Sequence, residues 1–515
     1  MNNNILWLLF MIVSATALAG WKKGDIPLPC LVAIVAVFSV AEVWSNYPMI
    51  WRDVFFHGSS VRAIVGQGYV GGTWLKYPDT NPGFFLLWSI VQLVTGSQTF
   101  EANLLMLLPV GVIVLMIGLV ALYRKLPISI PNTTALFTFL LLNFNKNEFM
   151  FLHFNTRLLS LIYVLLIVSL FVKQGNDPMR SISLVILNAA LVISHALNSL
   201  VPAVFFGMYW MSNRKRIDSG WTTFVSCATI YVAWNVYVGY EVLKAGLTTF
   251  LTYAYLKLAA DLVAGWFQVG GNPGGFVGSA LATYYKLLLI TLGLISLYCA
   301  IKLRGERKVS LLRSYLFSTF AVYGLSFLSV LNWISIDRGI MLASIAIASL
   351  PMILFTLRTR NSLASWRRRT LVVAIIVLIM PQFLLVHEPA MASSGAVASI
   401  ERTCVFLLDY RNGRGLASLN TFPIYYSFYD PFYSGYENLE YADMASLKNV
   451  TNFLLTRPKG TLRVVDYRDT VDWGSQLRLA GSYREALTQW DREVYAKVNL
   501  RCNIVYSSGF ERVYG

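Results

Sequence analysis

Charge is scarce in this chain. Only 13% of its 515 residues are Asp, Glu, Lys or Arg, about half the share usual in soluble domains. With 56% hydrophobic residues, that scarcity excludes an ordinary water-soluble globule. Acidic residues are the scarcer sign, 26 against 42 basic, giving a net charge of +16. In a soluble protein such a balance would suggest a nucleic-acid partner. Here the basic residues sit in short loops between apolar runs, where orientation signals of membrane proteins belong, so no nucleic-acid partner is expected. Histidine is rare as well, with four in the whole chain, and these are too dispersed to form a metal set by spacing. No glycine-rich phosphate loop follows a strand-like run. There is no cleavable signal pattern at the N-terminus, so the first apolar run reads as a retained helix.

What is present is apolar stretches of about 17 to 25 residues, the length that crosses a bilayer. They fall near residues 5–20, 26–46, 104–122, 127–144, 156–173, 181–197, 198–212, 219–239, 282–303, 311–330, 339–357 and 370–387. Two of these, 181–197 and 198–212, are short and meet near His195. If all the spans alternate, one face receives Lys22 and Lys23, Arg124 and Lys125, Lys173 and Arg180, Arg214 to Arg216, Lys302 to Arg313, and Arg358 to Arg369. A missed span would scatter these charges over both faces. The basic face is therefore expected to be cytoplasmic, with both termini outside. The expected fold is an all-α polytopic membrane domain of about twelve transmembrane helices, residues 1–387, followed by a small α+β extracytoplasmic domain, residues 388–515.

The outer side then receives residues 47–103, 145–155, 193–199, 240–281, 331–338 and everything after 388. Long connections of this kind usually carry function. In the C-terminal region, TLRVVDY (461–467) alternates like a strand, and NIVYSSGFERVYG (503–515) reads as a hairpin around Ser508–Gly509. Residues 475–498 have a helical pattern. Cys404 and Cys502 bracket this domain in an oxidising compartment, where a disulfide is an option. Asn132–Thr133–Thr134 and Asn449–Val450–Thr451 fit the N-glycosylation pattern, and only the second lies clearly in an outer segment.

The densest chemistry lies between residues 51 and 88, WRDVFFHGSSVRAIVGQGYVGGTWLKYPDTNPGFFLLW. Asp53 comes a short step after the second span, and ionisable groups at such depths are expensive to keep without a purpose. From Asp53 to Gln67 the residues Phe55, Phe56, Ser59, Val61, Ile64 and Val65 predict an amphipathic helix lying on the membrane. Residues 76–83 form a turn fixed by Pro78 and Pro82. The run 84–96 is too short to span and is expected to lie along the interface.

An Asp at the start of a first outer loop, an amphipathic helix, then Tyr-Pro-x-x-x-Pro-Gly before an apolar helix ending in Thr-Gly resembles the GT-C superfamily. These are polytopic membrane glycosyltransferases using polyprenyl-phosphate sugar donors, among them the protein O-mannosyltransferases and the aminoarabinose lipid A transferases. An archaeal-type polysaccharide or protein glycosyltransferase is nearest in overall pattern. This chain departs from the superfamily in having Arg52–Asp53 where an acidic pair is usual, and Pro78–Asp79–Thr80–Asn81–Pro82 in place of a Lys-Pro-Pro or His-Pro-Pro run. It also lacks the Trp-Trp-Asp-Tyr-Gly motif of oligosaccharyltransferase subunits, which argues against transfer of a whole glycan.

The resemblance implies a general base that takes the proton of an acceptor hydroxyl and positive charge that holds the departing phosphate. Asp53 is the candidate base; the alternative is a cap or a partner for Arg52 or Arg62. Arg338, in WISIDR (333–338), is the candidate donor-phosphate ligand, with a local tether to Asp337 as the alternative. Lys76, His57, Asp79, Arg157 and His195 are further candidates for donor-phosphate or substrate binding. Arg157 could instead snorkel to the interface, and Asp79 could simply shape its turn. No metal site is assigned and no cofactor is required. Asp53 with Asp79 alone does not establish a cation site, and a divalent cation stays open as an assistant.

The implied partners are a polyprenyl-phosphate-linked donor, a lipid, glycan or protein acceptor, and membrane lipids. The expected place is the cell (plasma) membrane, multi-pass, with the site on the extracytoplasmic side. Such a site requires Asp53 and Arg338 to open into one cavity. The rival class is a transporter or flippase for a lipid-linked glycan. That class predicts internal repeats and mid-membrane charges in broken helices, and the chain shows no repeat between its halves.

Overall fold

A computed structural model describes residues 26–46, 52–70, 79–126, 130, 132–143, 154–172, 178–196, 198–212, 218–240, 244, 291–304, 306, 309–324, 336–358, 402–410, 416–418, 462–466, 504–507 and 511–514. The chain divides into two compact units. One comprises residues 1–45, 79–268 and 282–384, and the other residues 46–78, 269–281 and 385–515.

The first unit is helical. Helices Leu28–Asn46, Gly83–Thr95, Asn132–Asn143, Thr156–Val172, Pro178–Ser194, Leu200–Ser212, Asp218–Tyr237, Ser310–Gly324 and Ile336–Arg358 follow the apolar runs of the sequence. A longer one begins at Thr99, passes through a π-helical turn at Ala102–Leu107, and continues as Leu108–Lys125. Among the described residues, Ala102–Lys125 is the one helix long and apolar enough to cross a membrane by length and composition. The expected spans 5–20 and 370–387 lie outside the described residues.

These helices are apolar on both faces. Inward they bury Leu115, Leu119, Leu158, Leu165, Leu191 and Phe205; outward they leave Val110, Ile117, Ile182, Ile186 and Val232 exposed. A helix packed in a water-soluble protein shows a polar stripe on its outer side, and contiguous apolar exposure marks a surface meant for lipid or protein. Close packing is set locally by small residues. A Cβ at Gly111 would sit 2.5 Å from the Phe154 ring, so only glycine lets that ring seat against Leu108–Lys125.

The two ends of this bundle differ in chemistry. At one, Lys125 donates to the Ser169 carbonyl at 3.3 Å, Arg180 to Phe171 at 2.9 Å, and Arg313 to Arg304 at 2.8 Å. Phe171 meets Phe205, Phe206 and Tyr209 there, and Phe205 meets Tyr315. The opposite end is rich in amides and uncharged hydrogen bonds. Lys125, Arg180 and Arg313 thus stand at one end of the helical unit.

The second unit holds helix Arg52–Gln67, a helical stretch at 402–410 and a four-stranded sheet. Strands β1 (Leu416–Ser418), β2 (Leu462–Asp466), β3 (Ile504–Ser507) and β4 (Glu511–Tyr514) lie in the order β1-β2-β4-β3. β1 and β2 are parallel, while β4 pairs antiparallel with both β2 and β3. The alternating stretch at 461–467 is β2, and the hairpin read around Ser508–Gly509 is β3 and β4. The helical pattern at 475–498, and Cys502 with its expected pairing to Cys404, lie outside the described residues.

Candidate functional site at the amide-rich end

The polar end of the helical unit is built by three breaks in regular structure. The first is the turn at Asp79–Pro82. Asn81, buried, donates its amide to the Val192 carbonyl at 3.2 Å, 111 residues away in sequence. The indole of Trp234 donates to the Thr80 carbonyl at 3.0 Å. Helix Gly83–Thr95 then leaves the turn directly against the end of Pro178–Ser194. A Cβ on Gly83 would lie 2.5 Å from Ser194 Oγ and 3.2 Å from the Ile193 carbonyl. Gly83→Val should therefore part the two helix ends. Overpacking of this kind costs about 1–3 kcal/mol, so thermal unfolding should show a clear drop in Tm; an unchanged Tm would mean that the contact is not made.

The second break precedes helix Thr156–Val172. Asn155 caps it, its Oδ1 accepting the N–H groups of Arg157 at 3.1 Å and Leu158 at 2.9 Å. This is the geometry by which Asn satisfies orphan donors at a helix start. Just upstream, the Asn103 amide exchanges two hydrogen bonds with the Phe154 backbone, at 2.7 and 3.1 Å. Phe154 stacks on Phe84 with ring centroids 5.9 Å apart. The cap and the stacked ring place Arg157, half-buried, in the first turn of its helix.

The third break is at 195–199, between helices Pro178–Ser194 and Leu200–Ser212. His195 is buried, and its Nδ1 accepts the Asn198 backbone N–H at 3.1 Å. That bond leaves the ring proton on Nε2. Asn198 in turn donates its side-chain amide to Ser160 Oγ, one turn along from Arg157. The sequence pattern puts two short helices meeting at His195, and the structure has them meeting there.

Asp79, Arg157 and His195 thus sit on neighbouring segments of one bundle end, tied by Asn81, Asn155, Asn198 and Ser160. Sequence reading singled out the three ionisable residues, and missed Asn81, Asn103, Asn155, Ser160 and Trp234. A partial signal existed for Asn81 and Asn155, each immediately before a helix-compatible run. The others acquire meaning only through contacts distant in sequence.

The remaining candidates stand elsewhere. Asp53 is the second residue of helix Arg52–Gln67, and His57 lies one turn further on. Positions four apart share a helix stripe. His57 is buried, as are Ser59, Ser60, Val61, Ala63 and Ile64; burial so nearly continuous exceeds what a helix resting half-exposed on a surface would show. Arg338 is the third residue of helix Ile336–Arg358. Lys76 and the side chains of Asp53 and Arg338 lie outside the described residues. Asp53 and His57 belong to one unit; Asp79, Arg157, His195 and Arg338 belong to the other.

No family model matches the chain, and no curated protein matches it. Solved structures do. The archaeal oligosaccharyltransferase AglB from Archaeoglobus fulgidus, in complex with an inhibitory peptide and a dolichol-phosphate, aligns with a TM-score of 0.53 and 13% identity, covering 93% of this chain and 72% of that one. The oligosaccharyltransferase of the same organism, tethered to an acceptor peptide containing the NVT sequon, aligns with a TM-score of 0.52, 11% identity and 92% and 72% coverage. Its complex with Zn and sulfate gives 0.50, 11%, 94% and 72%. The chain therefore shares the fold of the archaeal oligosaccharyltransferase along nearly its whole length.

Proposed function

We propose that this chain is a polytopic membrane glycosyltransferase. It moves a sugar or glycan from a polyprenyl-phosphate-linked donor to an acceptor on the extracytoplasmic side. The observation that carries the reading is the whole-length likeness to an oligosaccharyltransferase whose solved complex holds a dolichol-phosphate and a peptide. A protein acceptor is favoured by the same neighbours. An O-mannosyltransferase or aminoarabinose-transferase type has no support among them.

In this reading Asp53 takes the proton of the acceptor. It stands in the first turn of its helix, where the helix dipole favours a negative charge. Arg157 and Arg338 stand in the first turns of their helices, where a cation opposes the dipole. An anion such as the donor phosphate relieves both problems at once, binding to the guanidinium and to the helix end. His57, one turn from Asp53, Lys76, and Asp79 and His195 at the amide-rich end contribute further polar contacts to substrate.

A divalent cation fits the precedent of the archaeal structure with Zn. Among the described residues no group of three His, Cys, Asp or Glu side chains could hold a metal. The stripe of Asp53 and His57 offers two donor residues, and no step proposed here passes through a metal.

Sidedness is tested on one helix. Gln98 and Arg124, both exposed, stand at opposite ends of the stretch from Thr99 to Lys125. In intact cells a membrane-impermeant maleimide should label Gln98→Cys, and should label Arg124→Cys only after permeabilisation. Labelling of both variants in intact cells, or of Arg124→Cys alone, would contradict an outward-facing site.

A further inference from the structure

Helices Pro178–Ser194 and Asp218–Tyr237 pack together along their lengths, and both begin at the basic end of the bundle. Between them, at that end and away from the amide-rich site, is a cavity of about 160 Å³. Its wall carries Ser181 and Asn188 from the first helix and Thr222 and Ser226 from the second, with Val185 and Ile230 beside them. Ser181, Val185 and Asn188 recur at spacings of four and three, and Thr222, Ser226 and Ile230 at four, so each set forms one stripe of its helix.

Asn188 is the telling residue. It is fully buried, and neither its amide nitrogen nor its amide oxygen has a hydrogen-bond partner. Polar groups buried in an apolar setting are costly unless paired, the more so between membrane helices. The amide faces a cavity whose other polar groups are hydroxyls and the Cys227 thiol. Ser226 gives its proton to the Thr222 carbonyl at 2.8 Å, leaving its oxygen as an acceptor. No charged side chain lines the space, so the complementary ligand is neutral and hydrogen-bonding.

The route in is apolar. Val185, on the wall, is exposed, and so are Ile182, Ile186 and Val225 around it. A ligand arriving through this surface comes from the hydrocarbon side, carrying an apolar tail. From Ser181 to Asn188 the polar stripe runs about 10 Å along the helix, starting near the basic end.

We propose that this cleft binds the uncharged, hydroxyl-bearing headgroup of a membrane lipid, a glycerol or sugar hydroxyl donating to and accepting from the Asn188 amide at its deep end. The site requires that these helices face lipid but does not depend on glycosyl transfer, which the experiment below does not read.

The full-length protein is purified in an amine-oxide detergent, which has no hydroxyl groups. Thermal unfolding is followed after adding dioctanoylglycerol, with dioctanoylphosphatidylcholine as the hydroxyl-free control. The wild type should gain several degrees in Tm from the glycerol lipid and clearly less from the control, and Asn188→Leu should lose that difference. Equal gains from the two lipids, no gain at all, or a difference that persists in Asn188→Leu would each overturn the site. Should Asn188→Leu fail to fold, Ser181→Ala decides: a reduced difference supports the site and an unchanged one overturns it.

Discussion

Replacing Asp53 with Asn is expected to slow transfer from a polyprenyl-phosphate sugar by about 10²–10⁴-fold, the usual contribution of a positioned proton acceptor. The substitution keeps the shape of the side chain and removes its basicity. Donor binding should change little, because the acceptor proton rather than the phosphate is what Asp53 addresses. Stability separates this role from a structural one. A carboxylate in the first turn of a helix contributes about 0.3–1 kcal/mol through the dipole, so a purely structural Asp53 would show itself as a modest fall in Tm with transfer near normal. The measurement is the rate of polyprenyl-phosphate release under single turnover, beside thermal unfolding of the same preparation. Full activity in Asp53→Asn removes it from the chemistry.

Arg338→Ala carries the second large effect, on binding. A hydrogen bond to a charged partner is worth about 1.5–3 kcal/mol, which corresponds to a donor Kd raised about 10- to 100-fold. The sign of the stability change is informative. Arg338 is the third residue of helix Ile336–Arg358, where a positive charge works against the dipole, so its removal should leave Tm unchanged or slightly higher. A residue serving only as a local tether to Asp337 would show the opposite, a lower Tm with donor affinity intact. Loss of acceptor affinity greater than loss of donor affinity would also discard the phosphate role.

Much of the helical unit could be read directly from apolar run lengths. The run 26–46 is helix Leu28–Asn46, 156–173 is Thr156–Val172, and the short pair meeting near His195 is Pro178–Ser194 and Leu200–Ser212. Run length works here because these helices are apolar on both faces, with no polar stripe to interrupt the signal. The hairpin of β3 and β4 was equally legible, since alternation and a Ser-Gly turn are local properties. The asparagine network was not. Asn81 finds its partner at Val192 and Asn103 at Phe154. Nothing near either residue in sequence distinguishes a side chain bridging two helices from one that merely starts a turn. The cleft at Asn188 was hidden for a similar reason, because its hydroxyls are single interruptions in two apolar runs and gain significance only when the helices are side by side.

The candidate residues divide along the same line. His195 and Arg157 stood out because a charge or imidazole beside an apolar run is conspicuous, and the structure ties both to segments of one bundle end. The residues that orient them, Asn155, Asn198 and Ser160, are small and neutral. Their role is geometric, fixing where a helix begins and where a break is held open, and composition carries no trace of it.

The account rests on cleavage of a sugar–phosphate bond at the outer face of a membrane. The purified protein reconstituted in vesicles, supplied with a labelled polyprenyl-phosphate sugar and a peptide acceptor containing Asn-x-Thr, tests this directly. Free polyprenyl phosphate and labelled peptide should appear together at equal rates, and both should vanish in Asp53→Asn. Passage of the intact labelled lipid from one leaflet to the other, with no phosphate released and no peptide labelled, would identify a flippase and contradict the glycosyltransferase reading.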